Sequence, residues 1–220
     1  AYGGATKEWY EQANTFETIV AGKTLAEIKA LVAEADKGTT DVINAGCTIM
    51  VAEFVRAIEK AFANLSESAA TSAASVKLGI HTEQTLTDAN EEKDGKNQIE
   101  TTVFAAAVSE GKIVAAASDC VQVAFTFDAK GVSGYDLSKA VSSKREAGVN
   151  YGMKAYAGAK YEWYEQAAVL EAWCVGKTVE EVLAMKTFDR GDGSHTMVPD
   201  EADMKASVNV TVGDYLEDLK

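Results

Sequence analysis

Several features that would point directly to a function are missing from this sequence of 220 residues. It contains a single proline and three cysteines, Cys47, Cys120 and Cys174, none of which has the spacing of a metal site or a CxxC motif. Each cysteine lies in an apolar context, which predicts buried free thiols. No apolar run approaches the roughly 20 residues of a membrane-spanning helix. The chain has neither an initiating methionine nor a visible signal peptide, and we interpret it as processed or trimmed, because mature secreted proteins lack both.

The familiar motifs of catalysis and phosphate binding are missing too. The two histidines, His81 and His195, have no nearby nucleophile motif, and a metal site or triad containing both requires the fold to bring them together. Gly22-Lys23-Thr24 follows a helical pattern and lacks the upstream glycine of a P-loop. The tripeptide Arg190-Gly191-Asp192 occurs in a turn-forming segment, which we interpret as a solvated loop.

Basic residues are scarce relative to acidic ones. The chain has 21 lysines and arginines against 34 aspartates and glutamates, a formal net charge of −13 and a pI of about 4.6. Such a surface opposes binding to nucleic acid and to anionic membranes, and it favours solubility or cation binding. The sequence therefore predicts no nucleic-acid partner and no transmembrane segment.

An internal repeat is the strongest positive feature. The hexapeptide EWYEQA at residues 8–13 returns at residues 162–167, and at this shift residues 1–31 match residues 155–185 at 16 of 31 positions. One structural unit is therefore used more than once. Each copy begins with an amphipathic helix, predicted over residues 6–21 in the first, which ends at a glycine in the left-handed conformation.

A second marker, Gly-Lys-Thr, precedes another helix in both copies. Thr24 with Glu27 and Thr178 with Glu181 have the spacing of a capping box, in which the hydroxyl and the carboxylate satisfy backbone amides at the helix start. We therefore interpret these four residues as structural. An alternating segment at residues 45–51 matches residues 206–212 and predicts a strand in each copy, followed by a helix.

The paired aromatic residues of the repeat are candidates for packing or for interaction. Trp9 and Tyr10, like Trp163 and Tyr164, point about 100° apart on a helix, so that the two rings of a pair cannot easily face one ligand. The sequence predicts that Trp9 and Trp163 occupy equivalent, mostly buried positions.

Between the two copies the pattern changes to period two. Strands are predicted from residue 75, at 98–109 and at 113–127, with tight turns between them, and a short helix ends at Gly148. This is an antiparallel meander with one face available to bury against helices. The predicted fold class is α+β: residues 1–62 form the second half (helix-helix-strand-helix) of a repeat unit, residues 63–74 a linker, and residues 75–220 a full unit, so that the unit is partly duplicated.

The order of these motifs resembles the tandem units of secreted or lipid-anchored proteins from Gram-positive anaerobes. The resemblance rests on the following segments, and covers nearly the whole chain: Gly111-Lys112-Ile113, Phe127–Gly131, Tyr151–Lys154, Glu162–Ala167, Val175–Thr178 and Val210–Asp214. It implies an extracellular or cell-surface location, with any attachment to the cell envelope outside this chain. The strand-turn-strand at Gly111-Lys112-Ile113 is also similar to small flavin-binding extracellular domains, although their Ser-Gly-Ala-Thr attachment motif is missing here.

Three functional hypotheses follow. The first is a bacterial, non-enzymatic repeat protein that acts by presentation or self-assembly. This hypothesis predicts no catalytic, metal-binding or cofactor-binding residues. It predicts that the protein's partner is a second copy of the chain, in an oligomer or a filament. A half-unit at residues 1–62 cannot easily bury its apolar faces alone, so it must pack on the following unit or borrow a sheet from another molecule. The alternatives are a small-ligand or flavin-binding module, with its site between meander and helices, and a hydrolase with an unrecognised site.

Overall fold

The structure, a computed structural model, describes residues 5–65, 70–136 and 140–220. The chain divides into two compact units, an N-terminal unit, Ala1–Glu67, and a C-terminal unit, Ser68–Lys220. The division falls within the segment predicted as a linker, of which residues 66–69 lie outside the described residues. Helices and an antiparallel sheet together confirm the α+β class. None of the described helices combines the length and the apolar character needed to cross a membrane.

The regular elements of the N-terminal unit's described residues are all helices, joined by loops that contain two isolated β-bridges, Val32–Gly38 and Lys37–Met50. Its elements are α1 (Trp9–Val20), α2 (Leu25–Lys29), a 3₁₀ turn (Glu34–Asp36), α3 (Thr40–Asn44) and α4 (Ala52–Ala63). Gly22 ends the first helical segment with a φ of 75°, in the left-handed region that was predicted for it. A small core holds the unit together, and its buried members are Phe16, Ile28, Val42, Cys47, Val51 and Val55.

The strands predicted at residues 45–51 and 206–212 are wrong, because neither segment forms a strand. Each is instead held by a buried glutamine of the repeated hexapeptide. The Gln12 Oε1 accepts from the Thr48 amide at 2.8 Å, and the Gln166 Oε1 accepts from the Asn209 amide at 2.8 Å. Alternate residues of both segments still point into a core. The sequence therefore alternates with the period of a strand, although neither segment pairs with a neighbouring strand.

The C-terminal unit begins with the predicted meander. Strands β1 (Ser75–Thr87), β2 (Gly95–Ser109) and β3 (Lys112–Phe127) pair antiparallel in the order β1-β2-β3. The two-residue turn at Glu110-Gly111 has positive φ at both positions, 50° and 76°, as a tight hairpin between right-twisted strands requires. This part of the fold confirms the prediction from the sequence.

Short helices follow the meander and cover it. They are α5 (Lys144–Ala147), a 3₁₀ helix (Gly148–Tyr151), α6 (Met153–Ala157), α7 (Trp163–Cys174), α8 (Val179–Leu183) and α9 (Gly213–Asp218). The predicted end of a short helix at Gly148 is confirmed. Between α8 and α9, β4 (Thr187–Phe188) pairs with β5 (Val198–Pro199) in a two-stranded ladder.

The two faces of the meander differ in what they contact. The inner face packs against α7 and α9, and its buried residues include Phe104, Ala106 and Cys120. The strand register places Val121 and Val123 on the opposite, outer face. The apolar alternation that predicted these strands therefore belongs partly to a face that these helices do not cover. Burial of the inner face depends instead on small residues and on a few large ones.

Both predicted capping boxes form. The Thr24 amide donates to the Glu27 carboxylate at 2.8 Å, and the Thr178 amide donates to the Glu181 carboxylate at 2.8 Å. In return each threonine hydroxyl accepts from the glutamate amide, as expected of a helix start. Thr24, Glu27, Thr178 and Glu181 thus have structural roles at the starts of α2 and α8.

The capping box of α8 allows a quantitative prediction. Replacing Thr178 by alanine is expected to lower the free energy of unfolding by about 1 kcal/mol, because the Glu181 amide loses its acceptor. Chemical denaturation measures this loss. The control, Thr178→Ser, keeps the hydroxyl and should retain most of the stability. Equal stability of the alanine variant and the wild type would contradict the structural role of the threonine.

Candidate functional site

The repeated tryptophans do not occupy equivalent environments. Trp163 is 3% exposed and packs against Tyr215 with ring centroids 6.4 Å apart, as predicted for a core residue. The burial predicted for Trp9 is wrong: its side chain is 61% exposed, and its ring lies 6.1 Å from that of Phe54. Tyr10 is exposed as well, whereas Tyr164 is partly buried against the core of the C-terminal unit.

The difference follows from what covers each helix. In the C-terminal unit α7 packs on β3, and the Glu171 carboxylate accepts from the amide and the hydroxyl of Ser118 at 2.6 and 2.8 Å. The N-terminal unit has no sheet among residues 5–65, so that the same helix sequence has no strand within its unit to pack against. The indole of Trp163 therefore lies in a core because a sheet covers its helix. The indole of Trp9 stays exposed because its unit has no such sheet among its described residues.

The remaining residues of the hexapeptide are also structural. The amides of Glu8 and Glu162 donate to the carboxylates of Glu11 and Glu165 at 2.8 and 2.7 Å, closing the first turns of α1 and α7. The repeat of the motif is thus explained by helix starts and by the glutamine described above. None of these contacts brings the motif to a shared site.

A polar cavity of about 560 Å³ lies between the inner face of the meander and the helices of the C-terminal unit. Residues from all three strands of the meander and from α5, α7 and α9 line it. Ionisable members of this lining are Glu83, Glu100, Lys144, Tyr151, His195, Asp214 and Tyr215. Residues from distant parts of the chain meet here, so that no local sequence motif could have indicated the site.

A buried ion pair forms one wall of the cavity. The Lys144 Nζ donates to the Glu100 Oε1 at 2.7 Å, and the Cys120 thiol donates to the same oxygen at 3.1 Å. Burial opposes ionisation of Glu100, but the Lys144 ammonium outweighs it and lowers the pKa of this carboxyl below its ordinary value. Burial likewise opposes the charge on Lys144, and the neighbouring Cys120 and Glu100 nevertheless raise its pKa. The pair is therefore charged at neutral pH.

A second cluster joins β1 to the start of α9. Ligand atoms of His81, Glu83 and Asp214 all lie within 4.8 Å of one another, and the His81 Nε2 is 3.3 Å from the Glu83 Oε1. The hydrogen bond to Glu83, assisted by the charge of Asp214, raises the pKa of His81. Burial and the charge of Glu83 raise the pKa of Asp214. These side chains are the metal-binding candidates that the structure offers among its described residues.

The second histidine belongs to a separate arrangement. The His195 Nδ1 lies 2.9 Å from the Asp192 Oδ2, and the amides of Ser194 and His195 also donate to Asp192. These amides, Ser194 first, lower the pKa of the Asp192 carboxyl. The Arg190-Gly191-Asp192 segment is thus a turn braced by its own hydrogen bonds. His195 lines the cavity, whereas the metal-binding cluster contains His81 and not His195.

The three thiols are buried and free, as predicted. Burial raises the pKa of Cys47, and raises those of Cys120 and Cys174 to about 12. A thiol with so high a pKa holds almost no thiolate at neutral pH, so it is a poor nucleophile and a poor metal ligand.

The outer face of the meander is the second candidate surface. Its exposed apolar side chains are Val76 (73% exposed), Leu78 (63%), Ile80 (63%), Leu86 (59%) and Ile99 (41%). Across the whole face the register places two charged side chains, Lys112 at the start of β3 and Asp119, which accepts from the Ser143 hydroxyl at 2.6 Å. A wide and exposed face with so few charges is unusual on a chain with this many charged residues.

Comparison of the chain with protein-family models, with curated proteins and with solved structures found no match, so that the resemblance to tandem-unit surface proteins stays a prediction.

Proposed function

We propose that this protein is a non-enzymatic, extracellular or cell-surface protein that acts by self-assembly, through contact between the outer faces of two copies of the chain. The observation that supports this proposal best is the outer face itself, on which Val76, Leu78 and Ile80 are each more than half exposed. Contiguous exposed apolar surface of this kind marks an interaction site in a soluble protein.

The chemistry of the outer face favours a second copy as its partner. A charged partner would be recognised by complementary charges, and this face carries only two charged side chains. Lys112 lies at the end of the face, and Asp119 already accepts hydrogen bonds from Ser143 and from the Arg145 amide. Two identical, largely apolar sheet faces complement each other without depending on charge pairing. The net charge of −13 lies elsewhere on each chain and keeps other surfaces apart.

The size of the outer face is adequate for a dimer. Three strands spaced about 4.8 Å apart, with a rise of about 3.3 Å per residue over the 13 residues of β1, give a face of roughly 600 Å². Two such faces bury roughly 1,200 Å² in total, at the lower end of the range for specific interfaces. Stacked sheets pack about 10 Å apart with interdigitating side chains, as in a β-sandwich.

Symmetry decides what such a contact builds. A contact between identical faces closes on itself and gives a dimer, whereas a head-to-tail contact through residues 1–62 repeats and gives a filament. The exposed Trp9 of the N-terminal unit is the feature that favours the second arrangement. The outer face is the larger surface, and we therefore place the principal contact there.

Sedimentation equilibrium of the full chain tests the proposal. The wild type should show the mass of two chains, and Leu78→Lys combined with Ile80→Lys should reduce it to one, because the two lysines place charge in the centre of the contact. Added salt should strengthen the wild-type dimer, since it screens the repulsion between two acidic chains.

Two further variants make the result specific. Val149→Lys places the same charge at an exposed valine of the 3₁₀ helix and should leave the dimer intact. Trp9→Ser separates the two arrangements: dissociation by this variant, but not by the outer-face variant, would establish head-to-tail contact instead. A wild-type chain that remains a monodisperse monomer at high concentration would end the assembly proposal.

A small-ligand-binding module is the second candidate function, and the polar cavity between meander and helices favours it. Its lining is rich in carboxylates, among them Glu83, Glu100 and Asp214, and these repel the phosphate of a flavin nucleotide. A cationic or polar ligand fits the cavity better. Native mass spectrometry would detect such a ligand as excess mass, and absorbance near 450 nm would identify a flavin.

A further inference from the structure

We infer that the C-terminal unit binds one divalent transition-metal cation, Mn²⁺ or Zn²⁺, through Glu83 and Asp214 of the cavity lining and the adjacent His81. The three side chains offer one imidazole nitrogen and two carboxylate oxygens, all within 4.8 Å of one another. Metal–ligand bonds of about 2.0–2.2 Å place neighbouring ligand atoms roughly 3.0–3.5 Å apart, so that small side-chain rotations would complete the coordination.

The strand register builds this ligand set. His81 and Glu83 are separated by one residue on β1, so both point to the inner face, beneath the start of α9. Gly79, two residues earlier on the same face, allows α9 to approach closely: a Cβ there would lie 1.7 Å from the Asp218 carbonyl oxygen. This close approach brings Asp214, at the other end of α9, over β1.

A buried hydroxyl without a partner points to a ligand at this place. Thr102 faces His81 across the β1–β2 ladder, lines the same cavity and is 2% exposed. Its Oγ1 has no partner with full hydrogen-bond geometry, and its one interaction is a weak one with the Asp218 carboxylate. The carboxylate oxygens of Asp218 are also buried without a hydrogen-bond partner. A buried polar atom left unsatisfied costs free energy, and a hydrated cation would supply the missing partners.

The balance of charge supports a cation. Glu83 lies directly opposite Glu100 in the ladder, a like-charge pairing that destabilises a sheet unless the charges are compensated. Lys144 compensates Glu100, while Glu83 shares its surroundings with two further carboxyl groups, Asp214 and Asp218. One divalent cation would compensate the charge that remains.

The nature of the ligands selects the class of metal. Imidazole favours transition metals over Mg²⁺ and Ca²⁺, which prefer all-oxygen sites, and the absence of a thiolate from the cluster removes the preference for Cu(I). The thiol of Cys120, which donates to the cavity residue Glu100, is protonated because burial raises its pKa to about 12. Water is left to fill the remaining coordination positions.

Manganese binding to the full chain tests this inference. The protein is treated with a chelator, freed of it, and titrated with Mn²⁺ while the electron paramagnetic resonance signal of the free ion is followed. One equivalent should bind, and electron spin echo modulation from a directly coordinated ¹⁴N should identify the imidazole. His81→Gln and Asp214→Asn should each weaken binding by about tenfold or more.

The other histidine provides the matched control. His195→Gln removes an imidazole that lines the cavity but lies outside the cluster, and it should leave the Mn²⁺ affinity unchanged. The ¹⁴N signal of the wild type keeps the test decisive even if a variant folds poorly. Weak binding of several ions without a ¹⁴N signal, or equal affinity in His81→Gln and the wild type, would overturn the inference.

Discussion

Replacing Trp163 by alanine is expected to lower the free energy of unfolding of the C-terminal unit by about 3–5 kcal/mol. The indole is 3% exposed and belongs to the core cluster that joins α7 to the meander. Its removal would leave a cavity beneath the sheet and cost the packing against Tyr215. Denaturant unfolding followed by far-ultraviolet circular dichroism measures the change.

The repeat supplies an internal control for this prediction. Trp9 occupies the same position of the hexapeptide but is 61% exposed, so that Trp9→Ala should change the stability by about 0.5 kcal/mol or less. A large loss at Trp9 together with a small loss at Trp163 would reverse the assignment of core and surface. Equal losses would mean that the two helices have equivalent environments after all.

Replacing Glu100 by alanine is expected to destabilise the C-terminal unit by about 3–5 kcal/mol, because it leaves Lys144 as a buried charge without its partner. The ammonium group has little access to water, and its remaining neighbours are the rings of Tyr151 and Trp163 and the Cys120 thiol. Thermal and denaturant unfolding of the full chain both measure the loss.

Two controls separate a buried pair from an exposed one. Glu100→Leu combined with Lys144→Met removes both charges, and it should recover most of the stability, since apolar residues often replace buried ion pairs at little cost. Asp200→Ala breaks the exposed pair with Lys205, for which about 0.5 kcal/mol or less is expected. A small loss in Glu100→Ala would show that water reaches Lys144 freely.

The meander was predictable because its information is local. Alternating apolar residues fix the strands, and the Glu110-Gly111 turn fixes the register of β2 against β3. The same logic failed at residues 45–51, where alternation arises from a segment held by the Gln12 side chain and not by a neighbouring strand. Periodicity reports which side chains point inward, and it does not identify what satisfies the backbone.

The burial of the tryptophans and the assembly of the metal-binding cluster depend on long-range contacts that a single sequence does not reveal. Trp9 and Trp163 have identical flanking residues, yet only the second lies under a sheet. His81 and Asp214 belong to opposite ends of the C-terminal unit, and they meet because α9 crosses β1. Nor could alternation alone tell which face of the meander the helices cover.

The buried cysteines have a practical consequence for following the motions of this protein. Cys47 belongs to the core of the N-terminal unit, whereas Cys120 and Cys174 belong to that of the C-terminal unit. Because each thiol is protonated and out of contact with solvent, a thiol-specific reagent can reach it only after the surrounding structure opens. The labelling rate of each cysteine, measured by peptide mass, therefore reports separately how fast each of the two units opens, without any engineered probe.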